Sequence, residues 1–171
     1  MSQLDEPEIR TGSRERVEAA LRAAGLPCQI LEYPAGTKTA ADAAAAVGCE
    51  VGQIAKSIIF RAQPSDRVVL VLTSGPNRVD ERKVQAGLAH LLAGESLGKA
   101  DAEFIRRQTG FAIGGVAPVG HLTPPVTVLD ETLMTYPTLW AAAGTANAVF
   151  ELTPAQLVQL TAPLIIDVKV D

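Results

Sequence analysis

Two strongly apolar segments separated by a short turn place the tightest constraint on how this chain can fold. Ala55–Arg61 and Arg67–Thr73 flank the tripeptide Pro64-Ser65-Asp66, whose composition is typical of a turn. Strands joined by so short a connection pair in the antiparallel sense. The second segment contains an uninterrupted Val-Val-Leu-Val-Leu run, which indicates burial on both faces. The sequence therefore predicts an antiparallel pair of strands inside a sheet.

Lys56 is the only charged residue in the first of these segments between Gln53 and Phe60. Alternate residues of a strand share a face, so Lys56 is expected to point the same way as Ile58 and Phe60. Burying an ammonium group costs free energy unless it finds a partner. We therefore single out Lys56 as a candidate functional residue. The alternative is a lysine on an edge strand whose aliphatic stem covers apolar surface.

A second unusual segment, Gly114–His121, contains three glycines and one proline. These residues replace bulky side chains with accessible backbone of restricted conformation. Exposed backbone near a lone cation suits a ligand that carries oxygen or phosphate groups. The alternative is a plain connecting loop, which glycine-rich segments often form.

The remaining segments predict short helices mixed irregularly with strands. Helices are expected after N-cap residues at Ser13, Thr39, Asp80, Asp101 and Thr153, and strands over 28–32, 55–61, 67–73, 126–129, 148–152 and 164–170. This order lacks the regular alternation of a doubly wound fold. The prediction is an α+β single domain over 13–171, with a mixed, largely antiparallel central sheet flanked by short helices. Residues 1–12 are expected to form a flexible tail.

Composition excludes several classes of function. The 171 residues fit one domain, and a net charge of −4 argues against DNA binding through bulk electrostatics. Cys28 and Cys49 lack metal-ligand spacing, so no metal or other cofactor is expected. Neither an apolar leader nor a run long enough to span a membrane occurs, which predicts a cytoplasmic protein.

Common catalytic motifs are also missing from the sequence. His90 and His121 are the only histidines, and no Gly-x-Ser-x-Gly nucleophile motif occurs. Gly114-Gly115 is not followed by the Gly-Lys-Ser/Thr ending of a phosphate-binding P-loop.

Three blocks of sequence resemble the superfamily of YbaK proteins and the editing domain of bacterial prolyl-tRNA synthetases. The blocks are Ala44–Phe60, with Ala-Lys-Ser-Ile-Ile-Phe at its end; Thr73–Lys83, with Thr-Ser-Gly and Asn-Arg-Val-Asp; and Gly98–Gly120, with Gly-Lys-Ala, Thr-Gly and Gly-Gly-Val-Ala-Pro-Val-Gly. Each block alone is weakly specific. Their order and spacing together are more specific, and they cover the chain from about Ala40 to Gly120.

This resemblance implies a free-standing aminoacyl-tRNA deacylase, which hydrolyses the ester joining a wrong amino acid to tRNA. The expected partners are the acceptor end of the aminoacyl-tRNA and prolyl-tRNA synthetase. The functional lysine of the family corresponds to Lys56, and its Gly-x-x-x-Pro substrate loop corresponds to Gly114, Gly115, Val116, Ala117 and Pro118. Thr73, Ser74 and His121 complete the expected substrate-binding set, and His121 receives no catalytic role. In some members the segment corresponding to Gly144–Val149 carries a histidine or an acidic residue, and this chain carries neither there.

The sequence leaves open what Lys56 does and whether the protein turns over a substrate. Lys56 is able to anchor the substrate, stabilise an oxyanion or, with a lowered pKa, act as a general base. One alternative is a module that binds tRNA or a synthetase without catalysis. Another is an enzyme that forms a Schiff base through Lys56.

The amino acid to be removed is expected to be small, because the segments around the site are rich in Ala, Gly and Val. Alanine is the first expectation, and serine, threonine, cysteine and 2-aminobutyrate are the alternatives.

Overall fold

The computed structural model describes residues 12–26, 28–33 and 39–171, which form one eight-stranded sheet with five α-helices around it. The tripeptide Pro34-Ala35-Gly36, whose composition predicts a turn after the first strand, lies outside the described residues, as do all but the last residue of the predicted tail. The helices are α1 (Ser13–Ala23), α2 (Ala40–Val47), α3 (Glu81–Gly87), α4 (Ala102–Thr109) and α5 (Pro154–Thr161). The strands are β1 (Ile30–Glu32), β2 (Ile54–Gln63), β3 (Val68–Ser74), β4 (Ser96–Lys99), β5 (Val126–Asp130), β6 (Leu139–Ala142), β7 (Ala148–Leu152) and β8 (Leu164–Ile166). Short 3-10 helices cover Val51–Gln53 and Glu131–Thr135.

The sheet is mixed, as predicted. Its strand order is β1-β7-β6-β2-β3-β5-β8, and β4 pairs with β2. The pairs β1–β7, β2–β3, β2–β4 and β6–β7 are antiparallel, whereas β2–β6, β3–β5 and β5–β8 are parallel. The predicted fold class, α+β with a mixed sheet and short flanking helices, is confirmed.

The β2–β3 hairpin lies at the centre of the sheet and separates two apolar clusters. It pairs seven residues of each strand, from Ala55 opposite Ser74 to Arg61 opposite Val68. Every residue of β3 is buried, which confirms the interpretation of its continuous apolar run. Leu70 and Leu72 pack in one cluster, and Val69 and Val71 pack in the other. Burial on both faces is therefore what fixes this hairpin in the middle of the sheet.

Side-chain caps define most of the predicted helix starts. Thr39 and Asp42 form a capping box at α2, and Thr153 and Gln156 form another at α5. The carboxylates of Asp80 and Asp101 accept backbone N–H groups at the starts of α3 and α4. Each of these caps satisfies helix N–H groups that have no partner within the helix.

Some boundaries differ from the prediction. The N-cap of α1 is Gly12, without a side-chain hydrogen bond, and Ser13 is already helical. β8 ends at Ile166, short of the predicted 170, because the chain beyond it makes only an isolated bridge between Val79 and Lys169.

Two strands were not predicted from the sequence. β4 (Ser-Leu-Gly-Lys) and β6 (Leu-Trp-Ala-Ala) contain no β-branched residue and no clear alternation. Both form because they pair with the β2 edge, which is a tertiary contact that overrides local propensity.

The capping box at α5 gives a stability prediction. Replacing Thr153 with Ala removes the side-chain acceptor of the Gln156 N–H. The free energy of unfolding, measured by urea denaturation, should fall by about 1 kcal/mol. Thr153→Ser keeps the hydroxyl and should stay close to the wild type. Equal stability of the Ala and wild-type proteins would contradict the assigned cap.

Candidate functional site

Lys56 is held by the backbone that follows β3. Its Nζ donates to Gly75 O at 3.2 Å and to Asn77 O at 3.0 Å. No carboxylate in the described part of the chain lies within ion-pair distance of it. Burial lowers the pKa of Lys56 below the ordinary lysine value. The site therefore contains a half-buried cation whose partners are two neutral carbonyl oxygens.

The predicted face of Lys56 is confirmed by its neighbours. Lys56 lies opposite Thr73 in the hairpin, and Ile58 and Phe60 on the same face pack in the cluster around Val69. Gly75, which supplies one acceptor, is required by close packing. A Cβ atom there would lie 2.4 Å from the Val51 carbonyl oxygen. The approach of this turn to the 3-10 helix thus fixes where Lys56 finds its partner.

A cavity of about 610 Å³ opens beside Lys56. Among the described residues of its lining Lys56 is the only charged one, and most of the others are small and apolar. The alanines of the lining come from α2, β2, β6, the β6–β7 turn and β7: Ala40, Ala41, Ala43, Ala55, Ala141, Ala142, Ala146 and Ala148. A mostly apolar concavity with few polar groups is the usual form of a small-molecule site.

The cavity occurs where the sheet is interrupted. On the side away from β3, β2 pairs with β6 only at Ile54 and Ala55, and with β4 only from Phe60 onward. Residues 56–59 therefore have no strand partner on that side among the described residues. Both faces of β2 contribute to the lining, Lys56 and Ile58 from one and Ala55 and Ser57 from the other. The cavity accordingly lies across an uncovered sheet edge.

The predicted substrate loop only partly reaches the cavity. Gly114 and Val116 line it, and Gly114 has a φ of +91°, a conformation that favours glycine. Gly115 is buried against the β6–β7 turn, where a Cβ atom would lie 2.9 Å from the Thr145 Cα. Ala117 and Pro118 are buried and do not line the cavity. The first residues of the loop therefore expose backbone to the cavity, whereas its remaining residues pack into the protein interior.

Thr73, Ser74 and His121 do not line the cavity. Thr73 lies opposite Lys56 on β3 and is fully buried, and its hydroxyl has no partner among the described residues. The Ser74 hydroxyl donates to Gly52 O at 2.6 Å, which joins β3 to the 3-10 helix. His121 Nε2 lies 2.6 Å from Ala117 O, and burial lowers the pKa of His121. The structure thus brings Lys56 together with Gly114 and Val116 at the cavity. Thr73, Ser74 and His121 lie outside the lining.

Several lining residues were not predicted as site residues. Ser57 lines the cavity, and its hydroxyl is buried without a partner in the described part of the chain. Ile113 lines the opening with 63% of its surface exposed. Asn77, which supplies a carbonyl to Lys56, also has a buried side-chain N–H₂ without a partner among those residues. No local signal marks these positions, because the cavity assembles from distant segments.

No helix in the described ranges is long and apolar enough to cross a membrane. Across the same ranges, no three His, Cys, Asp or Glu side chains come together as a metal site.

The described residues form a single-domain α+β protein with a half-buried lysine beside a cavity, and comparison with known proteins identifies its family. Residues 34–160 match the family described as the aminoacyl-tRNA editing domain. The chain belongs to this family.

Three relatives illustrate the similarity. YwhH of Bacillus subtilis, an uncharacterized protein, is 31% identical over 128 residues, which cover 75% of this chain and 78% of YwhH. The proline–tRNA ligase of Lactobacillus acidophilus is 31% identical over 99 residues, which cover 58% of this chain but 16% of the ligase. A solved structure described as a "putative trans-editing enzyme for prolyl tRNA synthetase" is 46% identical, with a TM-score of 0.83 over 93% of this chain and 98% of that one.

Gly115 provides a test of the packing behind the cavity. Replacing Gly115 with Ala forces a Cβ atom against the Thr145 backbone, and should lower the free energy of unfolding by about 1–3 kcal/mol. Gly25→Ala is the control, because that position has open space but a φ of +72°. It should cost about 1 kcal/mol through backbone strain alone. Urea denaturation showing Gly115→Ala as stable as the wild type, or more stable than Gly25→Ala, would contradict the contact.

Proposed function

We propose that this protein is an aminoacyl-tRNA deacylase that acts in trans on tRNA carrying a wrongly attached small amino acid. The observation that carries the proposal is the Lys56 ammonium beside an apolar cavity lined by Gly114 and Val116. Membership of the editing-domain family supports the same reaction. The likeness to a structure described as a trans-editing enzyme for prolyl-tRNA synthetase supports tRNA for proline as the carrier.

The acceptors of Lys56 support a cationic role, because two carbonyl oxygens stabilise a protonated lysine more than a neutral amine. An ammonium group has three N–H donors, and two of them reach Gly75 O and Asn77 O. The third donor is left for an oxygen atom of the ester, where negative charge develops when water attacks. Carbonyl acceptors favour the protonated lysine, and a general base or Schiff-base nucleophile would have to be neutral.

The reaction adds water to the carbonyl carbon of the ester and breaks its bond to the ribose oxygen. The products are the free amino acid and tRNA with a free terminal hydroxyl, and the proton lost by the water passes to that hydroxyl. Because an aminoacyl ester is intrinsically labile, positioning the water and stabilising the oxyanion suffice as catalysis. Backbone N–H groups at the start of the Gly114–Pro118 loop are proposed to hold the amino-acid or ribose end.

The lining favours a small side chain in the substrate. Alanine methyl groups from α2, β2, β6 and β7 form much of the wall, and no aromatic residue is among the described residues that line it. A volume of about 610 Å³ exceeds what a small amino acid fills, which leaves room for the terminal nucleoside. Alanine remains the first candidate, before serine, threonine, cysteine and 2-aminobutyrate.

A deacylation panel tests the proposal. Purified protein is incubated with tRNA for proline charged in turn with alanine, serine, threonine, cysteine, 2-aminobutyrate and proline. We expect release of one or more of the small amino acids and retention of the cognate proline ester. Retention of every ester by folded protein would contradict deacylation. Binding of the charged tRNA without release would instead indicate a non-catalytic binding module.

Lys56→Ala tests the site within the same panel. The variant should lose about 100-fold or more in deacylation rate, because it removes the donor to the developing oxyanion. Its free energy of unfolding should change by about 1 kcal/mol or less, since two hydrogen bonds are lost together with a costly half-buried charge. Lys99→Ala is the matched control, because Lys99 is exposed on β4 and does not line the cavity. A deacylation rate of Lys56→Ala close to that of the wild type would show that the reaction depends on other groups than Lys56.

A further inference from the structure

The loop that reaches the cavity is supported from behind by two side chains outside the lining, Arg16 of α1 and His121. Arg16 donates through Nε to Gly120 O at 3.1 Å and through a terminal nitrogen to Gly110 O at 2.6 Å. One guanidinium group therefore joins the two ends of the segment Gly110–Gly120. Its planar, forked donors make this double contact possible.

His121 contacts the same segment in its middle. Its Nε2 lies 2.6 Å from Ala117 O, three residues after Gly114. A carbonyl oxygen only accepts hydrogen bonds, so Nε2 carries the proton and donates it. Nδ1 is then the unprotonated nitrogen, and it is buried without a partner among the described residues. The lowered pKa of His121, which burial causes, agrees with this neutral tautomer.

Phe111 contacts both side chains. The His121 ring meets the edge of Phe111 with centroids 5.1 Å apart, and the Arg16 guanidinium lies 5.1 Å from the Phe111 ring centre. Phe111 is fully buried in the core cluster that also holds Val116.

Backbone packing holds α1 close to this segment. A Cβ atom on Gly120, whose φ is +81°, would lie 3.1 Å from the Arg16 backbone. Arg16 and His121 thus form a connected support on the side of the segment away from the cavity.

We infer that Arg16 and His121 are positioning residues for the proposed deacylation: they fix the Gly114–Pro118 loop so that its first backbone groups face the ester. This inference rests on the proposed function. Neither residue touches the cavity. Their effect passes through Ala117 O, Gly110 O and Gly120 O, so loss of either support displaces the loop without removing a group that contacts substrate.

The test compares three variants in single-turnover deacylation. His121→Leu removes the donor and should lower the maximal rate by about tenfold or more, with little change in the tRNA concentration at half-maximal rate. His121→Gln keeps an N–H donor on a side chain of similar reach, and should recover the rate to within about threefold of wild type. Arg16→Met keeps an unbranched stem of similar length but has no N–H donor for either carbonyl, and should behave like His121→Leu.

Val158→Ala is the control for simple loss of stability, because Val158 packs on the same core cluster from α5 and does not line the cavity. It should lower the melting temperature while leaving the maximal rate near wild type. A rate near wild type for folded His121→Leu would overturn the inference, as would failure of His121→Gln to recover it.

Amide hydrogen exchange separates this inference from the proposed function. Exchange over residues 114–117 should be faster in His121→Leu than in wild type, and should return to the wild-type rate in His121→Gln. These exchange rates are expected even if the protein releases no amino acid in the deacylation panel. The absence of release would contradict the proposed deacylase function alone. If exchange over residues 114–117 is unchanged in His121→Leu, His121 does not hold the loop in place, and the inference is overturned whether or not the protein deacylates tRNA.

Discussion

The bond between the Lys56 ammonium and the two carbonyls that follow β3 is the interaction on which the site depends. A strand buried at the centre of a sheet is a costly place for a charge, and a carboxylate partner would have neutralised it. Carbonyl acceptors satisfy two N–H donors and leave the net charge in place. Gly75 allows this arrangement, because the turn must approach the 3-10 helix too closely for any side chain. The cation is therefore kept available beside the cavity.

The interruption of the sheet explains why this cation reaches a cavity at all. A full-length neighbour on the open edge of β2 would have enclosed Lys56 between strands. Instead β6 and β4 each pair with one end of β2, and residues 56–58 line the cavity between them. The Gly110–Gly120 segment closes the opposite side, supported by Arg16 and His121. Both halves of the site thus follow from how β2 is paired.

The sequence predicted the parts of this fold that local chemistry determines. Capping residues such as Thr39 and Thr153 marked helix starts, and the apolar run of β3 marked a strand buried on both faces. Lys56 was identifiable because a charge in an apolar strand is rare. β4 and β6 were missed, because their residues favour strands only once β2 is beside them. Ser57 and Ile113 could not be predicted as lining residues for the same reason, because the cavity forms only when distant segments come together.

The central claim is that Lys56 acts as a cation, and the pH dependence of its contribution tests that claim most directly. The measurement is the ratio of wild-type to Lys56→Met single-turnover rates across pH, which cancels ionisation of the substrate. Burial lowers the pKa of Lys56 in the folded protein below its ordinary value of 10.5. If Lys56 acts as a cation, the ratio is large near neutral pH and falls towards one as the pH rises through this lowered pKa. A ratio that begins near one and rises through the same range would show a neutral lysine acting as a base, and would contradict the account.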